Sequence, residues 1–302
     1  MNPKIVLAGG TGFIGTYLEK RFKALGYDVD IISRKPGHVS WHHLPAIAEA
    51  LEGADLLLNL AGKSVNCRYH SRNKEAILRS RVETTRTLGE ALLKCSNPPP
   101  LWINASTATI YRHAEDRPMT EEDGEIGSGF SVEVAKAWEH AFFSFQLPKT
   151  RQAALRIAIV LGKGGGVMIP YQNLARFGLG GPQGPGNQMF SWIHIEDLFR
   201  IIRFIQTEET LDGILNCAAP TPVPNREFMK ELRTAMNRRA GLPSPRWLLE
   251  IGAWLIRTET ELILKSRWVV PDRLQRAGFE FQFGTIQDAL RDLMRDARNR
   301  SK

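Results

Sequence analysis

Short apolar runs alternate with helically spaced apolar positions along the first half of the chain. The run Ile5 to Ala8 has the length and β-branched content of a buried strand. The segment after it has apolar residues at helical spacing, namely Ile14, Leu18, Phe22 and Leu25. Gly26 then supplies a helix stop. The chain therefore opens with a predicted strand, a glycine-containing turn and a helix.

The same alternation continues for about two hundred residues. Apolar runs of strand length occur at 29–32, 54–60, 101–105, 154–161 and 214–218. Segments of helical composition occur at 74–94, 132–145, 168–177, 191–206 and 226–236. Strands that alternate with helices predict a parallel, doubly wound sheet with right-handed crossovers. The predicted fold class is α/β.

The composition changes beyond Gly162, where glycines cluster at 162–166 and 178–186. These glycines form either a flexible linker or mobile loops over a substrate, and we favour the loops. We predict a first domain at residues 1–165, with its sheet completed by about residues 190–220. A smaller substrate-binding domain is predicted at 166–189 and 221–302. Within it, the strongly apolar stretch Trp247 to Ile256 predicts a packed helix. The alternatives are a membrane-surface helix, a subunit contact and a substrate wall.

The turn between the first strand and helix carries three regularly spaced glycines. Gly9 allows a tight turn, Gly12 lets a ligand approach the backbone, and Gly15 lets the helix pack closely. Free N–H groups at the helix N-terminus attract the diphosphate of a dinucleotide. The alternative is a tight turn with no ligand. The flanking strands and helix favour nucleotide binding.

The end of the second strand indicates which dinucleotide is bound. A site for NAD carries a carboxylate here for the ribose 2′-hydroxyl, whereas this chain has Ser33 and Arg34. A guanidinium binds phosphate through paired N–H groups. We therefore predict NADP, with Arg34 as the main contact to the 2′-phosphate and Ser33 beside it. The alternative is a pair of exposed basic residues in a loop.

Composition excludes several other classes of function. The net charge is +8, but no basic run is interleaved with aromatic residues, so nucleic-acid binding is not expected. Three separated cysteines and seven histidines show no metal-ligand spacing and predict reduced thiols and no metal. No apolar run approaches eighteen residues, and the first strand begins without a signal peptide. These features predict a soluble, cytoplasmic protein without a membrane segment.

Several motifs together resemble the extended short-chain dehydrogenase/reductases. They occur in the order that family uses: the glycine turn 9–15, the segment 59–62, the segment 155–162 and the segment 192–198. A narrower resemblance, to an uncharacterised epimerase-family subgroup with a distinctive C-terminal region, rests on 33–37, 80–85, 178–182 and 269–271. The similarity covers nearly the whole chain.

This resemblance implies a Rossmann-type NADP-binding domain and a small C-terminal substrate domain. It also implies that cofactor contacts lie at Thr11, Gly12, Phe13, Ile14, Ser33, Arg34, Leu60, Ala61, Arg81 and Val160. Arg81 and Val160 rest on the resemblance alone; by themselves they are a helix-surface arginine and a buried strand valine. Helix-on-helix dimers are common among such relatives, so a homodimer is one expectation.

The catalytic residues of the wider family are only partly present. That family uses a tyrosine acid/base, a lysine four residues later and an upstream serine or threonine. Thr107 occupies the hydroxyl position and Lys136 the lysine position, but the residue four before Lys136 is Val132, which cannot transfer a proton. Tyr111 could substitute if its loop turned it inward, or it is a packing residue. Lys136 is either a ribose contact or a solvated helix lysine.

Two functions therefore remain open. One is an NADP-dependent oxidoreductase or nucleotide-sugar epimerase-like enzyme that acts on an unidentified small molecule with an atypical proton donor. The other is an NADP(H)-binding sensor or interaction protein without hydride chemistry. The intact cofactor motifs and the glycine-rich loops favour the enzyme, whereas the missing tyrosine favours the sensor.

Overall fold

Eleven strands are found in the computed structural model, which describes residues 2–244 and 264–295. Their bounds are β1 Lys4–Ala8, β2 Asp28–Ser33, β3 Val39–Ser40, β4 Leu56–Asn59, β5 Leu101–Thr107, β6 Arg151–Ile157, β7 Ile159–Leu161, β8 Met189–Phe190, β9 Trp192–His194, β10 Gly213–Cys217 and β11 Val223–Pro224. Seven of them form one parallel sheet in the order β10-β6-β5-β4-β1-β2-β3. The prediction of an α/β fold with a Rossmann-type parallel sheet is confirmed.

Nine helices connect or cover these strands within the described residues. Their bounds are α1 Phe13–Ala24, α2 Leu44–Leu51, α3 Ser71–Leu92, α4 Phe130–Phe143, α5 Met168–Arg176, α6 Ile195–Thr207, α7 Asn225–Ala235, α8 Asp272–Arg276 and α9 Ile286–Leu293. None of the helices in these parts of the chain is long and apolar enough to cross a membrane.

The central strands are buried on both faces because helices cover both sides of the sheet. Apolar side chains of β1 alternate between the two cores, with Ile5 and Leu7 in one and Val6 and Ala8 in the other. The strand order reverses between β1 and β4, which both lie in the middle of the sheet. In open α/β sheets a ligand crevice forms outside the carboxyl ends of the strands at this reversal.

The predicted strand 154–161 is divided into two strands. The pairing of β6 with β10 ends at Ile157, and the N–H of Ala158 donates to the carbonyl of Cys217. The chain then continues as β7, which pairs in parallel with β9 outside the main sheet. This break carries the chain from the main sheet toward the second core.

A second hydrophobic core lies around α5, α7 and α9. It includes Tyr171, Phe190 and Phe228, whose rings pack on one another. We propose that this core marks the smaller domain predicted from the sequence. The predicted apolar helix Trp247 to Ile256 lies outside the described residues.

Two local predictions differ from the structure. The predicted helix 191–206 begins later, since Trp192–His194 is strand β9 and α6 starts at Ile195. The predicted helix 226–236 begins one residue earlier, at Asn225, whose side-chain oxygen accepts from the N–H of Gln183. In both places the tertiary partner of the segment overrides the local pattern.

Two buried polar side chains at the start of α6 connect this helix to the C-terminal segment. The carboxylate of Asp197 is fully buried and accepts from the N–H groups of Gln282 and Phe283 at 2.9 and 2.8 Å. His194 caps α6, because its Nδ1 accepts from the N–H of Glu196 at 3.2 Å. Its Nε2 lies 3.5 Å from the carboxylate of Asp292 in α9.

Stability is expected to depend on the protonation of His194. Burial lowers the pKa of His194 from 6.5 to about 4, although Asp292 opposes the shift. Between pH 6.5 and about pH 4, the imidazole of His194 therefore binds a proton in the unfolded chain but not in the native state. The contribution of neutral His194 to the free energy of unfolding is constant above pH 6.5 and is lost as the pH falls toward 4. At pH 5 the loss is about 2 kcal/mol.

Urea unfolding at pH 7.5 and pH 5 tests this expectation with His194→Asn, because asparagine also caps helices but does not titrate. The variant should lose less stability between the two pH values than the unchanged protein. His140→Asn, at an exposed position near the end of α4, is the control and should leave the pH dependence unchanged. Equal losses in all three proteins would contradict the assignment.

Candidate functional site

One cavity of about 480 Å³ lies along the carboxyl ends of the central strands. Its wall includes the turn after β1, the segment after β4, the ends of β5 and β6, and one face of α4. The sequence-predicted residues on its wall are Gly9, Gly12, Phe13, Ile14, Leu60, Arg81, Thr107 and Val160. A volume of several hundred Å³ is typical of a small-molecule or cofactor site.

The three regularly spaced glycines of the first turn differ in the space around them. Gly9 has a φ of +77°, and a Cβ there would lie 2.7 Å from the backbone N and Cα of Ala61. A Cβ on Gly15 would lie 2.5 Å from the Cα of Gly10. A Cβ on Gly12, by contrast, would meet nothing closer than the oxygen of Gly9 at 4.0 Å. Gly9 and Gly15 are thus required by the packing of the turn, and Gly12 leaves open space beside the cavity.

The segment after β4 is fixed by a buried amide. The side-chain oxygen of Asn59 accepts from the N–H of Ala61 at 3.0 Å, and its Nδ2 donates to Asn104 and Thr85. Asn59 is fully buried, so these bonds satisfy polar atoms that cannot reach water. They hold the backbone of Leu60 and Ala61 against Gly9.

Two features of the cavity suit an anion. Helix α1 begins at the cavity with Gly12 as its N-cap, with no side-chain cap and no acidic residue in its first turn. Its terminal N–H groups therefore remain available to a negatively charged ligand. The guanidinium of Arg81 lies over the ring of Trp138 at 5.1 Å and donates to the carbonyls of Lys63 and Ile77.

Arg81 has no carboxylate partner within the described residues. Burial lowers its pKa to about 10, so the side chain is still charged at neutral pH. A half-buried cation without a counter-ion on the cavity wall is a favourable site for a ligand phosphate. The residue predicted only from the family resemblance thus lies where an anion would be held.

The remaining predicted cofactor residues surround this cavity at different depths. Thr11 is half-buried in the glycine turn. Ser33 is buried at the end of β2, where its Oγ accepts from the N–H of Lys35 at 2.9 Å. Arg34 follows it and is exposed. Thr11, Ser33, Arg34 and Ala61 are not on the cavity wall itself.

Phe13 has a packing role that the sequence did not reveal. A Cβ on Gly162 would lie 2.6 Å from its ring, and one on Gly166 would lie 3.1 Å from it. The ring also leaves no room for a side chain on Gly165. The glycine-rich loop expected to be mobile therefore packs its backbone on an aromatic residue of the first turn. The glycine count was visible, but only the fold shows what it accommodates.

The end of β5 presents a row of hydroxyl groups to the cavity. Thr107 Oγ1 accepts from the N–H of Thr109 at 3.1 Å, while Ser106 Oγ donates to Glu139 Oε1 at 2.6 Å. Glu139 in turn is held by Arg156 through two bonds of 2.9 Å. The hydrogen of Ser106 is therefore already used, and the hydroxyl hydrogen of Thr107 is not donated to any described residue.

Tyr111 is a packing residue and does not turn toward the cavity. It is buried in a separate apolar cluster, donates to Asn216 Oδ1 and accepts from Arg156 Nη1, both at 2.9 Å. Burial raises its pKa. The idea that Tyr111 replaces the missing acid is corrected by these contacts, since its hydroxyl is engaged inside the protein.

The register of α4 corrects the expectation for Lys136. The residues of this helix on the cavity wall are Phe130, Ser131, Val134 and Trp138. Lys136 lies on another face, where it is exposed and its Nζ is 3.2 Å from Glu133. Val132 is fully buried in the cluster around Tyr111. The structure therefore does not bring positions 132 and 136 to the cavity.

The C-terminal segment reaches the cavity wall through Thr109. Lys265 Nζ donates to the carbonyl of Thr109 at 2.8 Å, and Arg267 Nε donates to its Oγ1 at 3.2 Å. Neither contact could be predicted from local patterns, because each joins residues more than 150 positions apart. The cavity is thus supported from both parts of the chain.

No group of histidine, cysteine, aspartate and glutamate side chains in residues 2–244 and 264–295 could hold a metal ion. The uncapped start of α1 and the guanidinium of Arg81 fit a phosphate-containing organic ligand bound along the glycine turn.

Family comparisons cover both parts of the chain. The model of the NAD dependent epimerase/dehydratase family matches residues 5–218. A domain of unknown function, DUF1731, matches residues 244–293. The first match contains the cavity turn and α4, and the second contains Lys265 and Arg267.

Relatives match over nearly their whole length. The human epimerase family protein SDR39U1 is 33% identical over 96% of this chain and 99% of its own. The epimerase family protein YfhF of Bacillus subtilis is 30% identical over 97% of this chain and 98% of its own. The crystal structure of human SDR39U1 (isoform 2) with NADPH superposes with a TM-score of 0.87, at 33% identity, over 97% of this chain and 99% of that one.

The register of α4 can be tested by introducing the absent tyrosine. Val132→Tyr places a larger, polar side chain in a fully buried position, so we expect a loss of about 1–3 kcal/mol in the free energy of unfolding. Lys136→Tyr, on the exposed face of the same helix, should change it by less than about 0.5 kcal/mol. Urea denaturation measures both, and a Val132→Tyr protein as stable as the original would contradict the assigned register.

Proposed function

The chain belongs to the NAD dependent epimerase/dehydratase family, and from this premise we propose that it binds NADP and acts as an oxidoreductase or epimerase-like enzyme on a small molecule. One observation carries the cofactor proposal: the uncapped start of α1 and the half-buried guanidinium of Arg81 lie on the wall of one cavity without a carboxylate. The NADPH of the human relative's crystal structure supports it.

Each part of the site has a role in holding the cofactor. The backbone from Gly9 to Ile14 and the first N–H groups of α1 would bind the diphosphate, because the space beside Gly12 is open. Arg34, with Ser33 beside it, would bind the 2′-phosphate, since the end of β2 has no carboxylate to repel it.

The remaining contacts lie further along the cavity. Leu60 and Ala61, held by Asn59, would lie along the nucleoside, and Arg81 would neutralise a phosphate. Val160, just after the break between β6 and β7, would contact the nicotinamide end.

Hydride transfer is the chemistry that a bound nicotinamide supplies. The chain's own contribution is to orient the cofactor and to surround its reactive end with the apolar side chains of Phe130, Val134 and Trp138. Thr107 lies on the facing wall, where its undonated hydroxyl can bond to a substrate oxygen. The substrate remains an unidentified small molecule.

The second candidate is a cofactor-binding sensor or interaction protein. It is favoured by α4, because no tyrosine or lysine occurs among the residues of that helix on the cavity wall. A redox sensor needs only that the two forms of the cofactor bind differently. We further propose a cytoplasmic location and a homodimer, without nucleic-acid or membrane partners.

Cofactor preference is expected to depend on Arg34. Arg34→Ala removes a charge-assisted hydrogen bond to the 2′-phosphate, so NADPH should bind about tenfold more weakly or worse. NADH lacks that phosphate and should lose less than about threefold. Fluorescence titration of the two reduced cofactors measures both.

Lys94→Ala removes the same charge at an exposed position beyond the end of α3 and should change neither affinity. Comparable losses for NADPH and NADH in the arginine variant would reject the NADP assignment. Tighter binding of NADH by the unchanged protein would do the same.

Turnover separates the enzyme from the sensor. With saturating NADPH, we expect at least one member of a panel of aldehydes, ketones and oxidised sugar nucleotides to be reduced, with loss of absorbance at the wavelength of the reduced cofactor. Boiled protein and protein without NADPH are the controls. NADPH that binds tightly but is never oxidised across the panel would favour the sensor.

A further inference from the structure

The cavity-facing side of α4 carries a polar atom that the rest of the protein leaves unused. Ser131 Oγ is buried, lies on the cavity wall and has no hydrogen-bond partner in the described parts of the chain. Ser131 does not cap its helix, whose N-cap is Gly129. A buried hydroxyl without a partner costs about 1–3 kcal/mol, a cost that a bound oxygen atom would remove.

The hydroxyls of Ser106, Thr107 and Thr109, at and just after the end of β5, differ from that of Ser131 in their bonding. Ser106 donates to Glu139. Thr107 and Thr109 each already accept a hydrogen bond, from the N–H of Thr109 and from Arg267 respectively. Ser131 alone among these four has both its donor and its acceptor capacity open.

The position of Ser131 also matters. On α4, Ser131 lies on the same face as Val134 and Trp138, whereas Val132 faces the core. Thr107 ends β5 on another wall of the same cavity. Helix α4 and strand β5 thus each contribute one hydroxyl-bearing residue to the wall of the same cavity.

We propose that Ser131 is the catalytic hydroxyl of this site, contacting the oxygen at the reacting carbon of the substrate with Thr107 as its companion. This inference rests on the proposed function. The proton donor is then a residue other than those at positions 132 and 136, which were expected to hold the tyrosine and the lysine.

The proton and electron balance is simple in the direction of carbonyl reduction. The carbonyl carbon receives the hydride of the reduced nicotinamide, and the C=O electron pair moves onto oxygen. Ser131 gives its hydroxyl proton to that oxygen and takes one from a water molecule in the same step. One carbonyl, one hydride and one water thus give one alcohol and one hydroxide, and the serine is unchanged.

This role has a signature that a tyrosine would not give. An aliphatic hydroxyl does not ionise in the working range of enzymes, so the relay itself should add no ionisation to the pH profile of kcat. A tyrosine whose pKa is lowered by a lysine would add one. Thr107 and Ser131 act together, so their effects on kcat should not be additive.

The experiment compares Ser131→Ala, Ser131→Thr and Ser144→Ala with the unchanged protein. Ser144 follows the same helix and bonds to the carbonyl of Ala141, away from the cavity wall, so it is the matched control. NADPH affinity is measured by fluorescence, and kcat and KM by NADPH oxidation with the carbonyl panel. We expect Ser131→Ala to keep NADPH affinity within about threefold and to lower kcat by about 10²-fold.

Ser131→Thr retains a hydroxyl and should recover at least a tenth of the original kcat. Full kcat in Ser131→Ala, or an equal loss in Ser144→Ala, would overturn the inference and leave the proposed function intact. If NADPH binds but no member of the carbonyl panel oxidises it, the inference and the enzyme function are both rejected, and only cofactor binding is retained. Absence of NADPH binding by the unchanged protein would reject the proposed function itself.

Discussion

The close contact between the backbone of the first turn and the segment after β4 is the constraint on which the site depends. Gly9 has no space for a side chain beside Ala61, and Gly15 has none beside Gly10. These contacts bring two strand ends on either side of the reversal in strand order into one surface. The buried amide of Asn59 maintains the surface from below through its bond to the N–H of Ala61. Because the turn is packed this tightly, its ligand-facing N–H groups are held in place before any ligand arrives.

The same turn is joined to the rest of the chain through Phe13. Its ring lies against the backbone of residues 162–166, which follow β7. Strand β9, which pairs with β7, ends at His194 beside Asp292 of α9, so the second core is attached close to this loop. The C-terminal segment also supports Thr109 with Lys265 and Arg267. The second part of the chain thus contributes to the cavity as a structural support.

Sequence patterns were informative where the structure is local and repetitive. The β1–turn–α1 unit follows from apolar spacing and glycine positions, because the strand, the turn and the helix are consecutive in the sequence. The break between β6 and β7 could not be predicted, since one apolar run serves two sheets and only the bond from Ala158 to Cys217 shows where they part. The contacts of Lys265 and Arg267 likewise depend on long-range packing. Such pairings leave no periodic signal.

Of the two alternatives for Lys136, the exposed helix lysine agrees with the structure. A spacing of four residues places two side chains near one another on a helix, but it does not decide which of them faces the core, the solvent or the cavity. Val132 and Lys136 are four residues apart, yet Val132 lies in the core and Lys136 in solvent. A side chain at position 132 lies in the core and not on the cavity wall. What matters is the face with Ser131, Val134 and Trp138, and its only side-chain hydroxyl is that of Ser131.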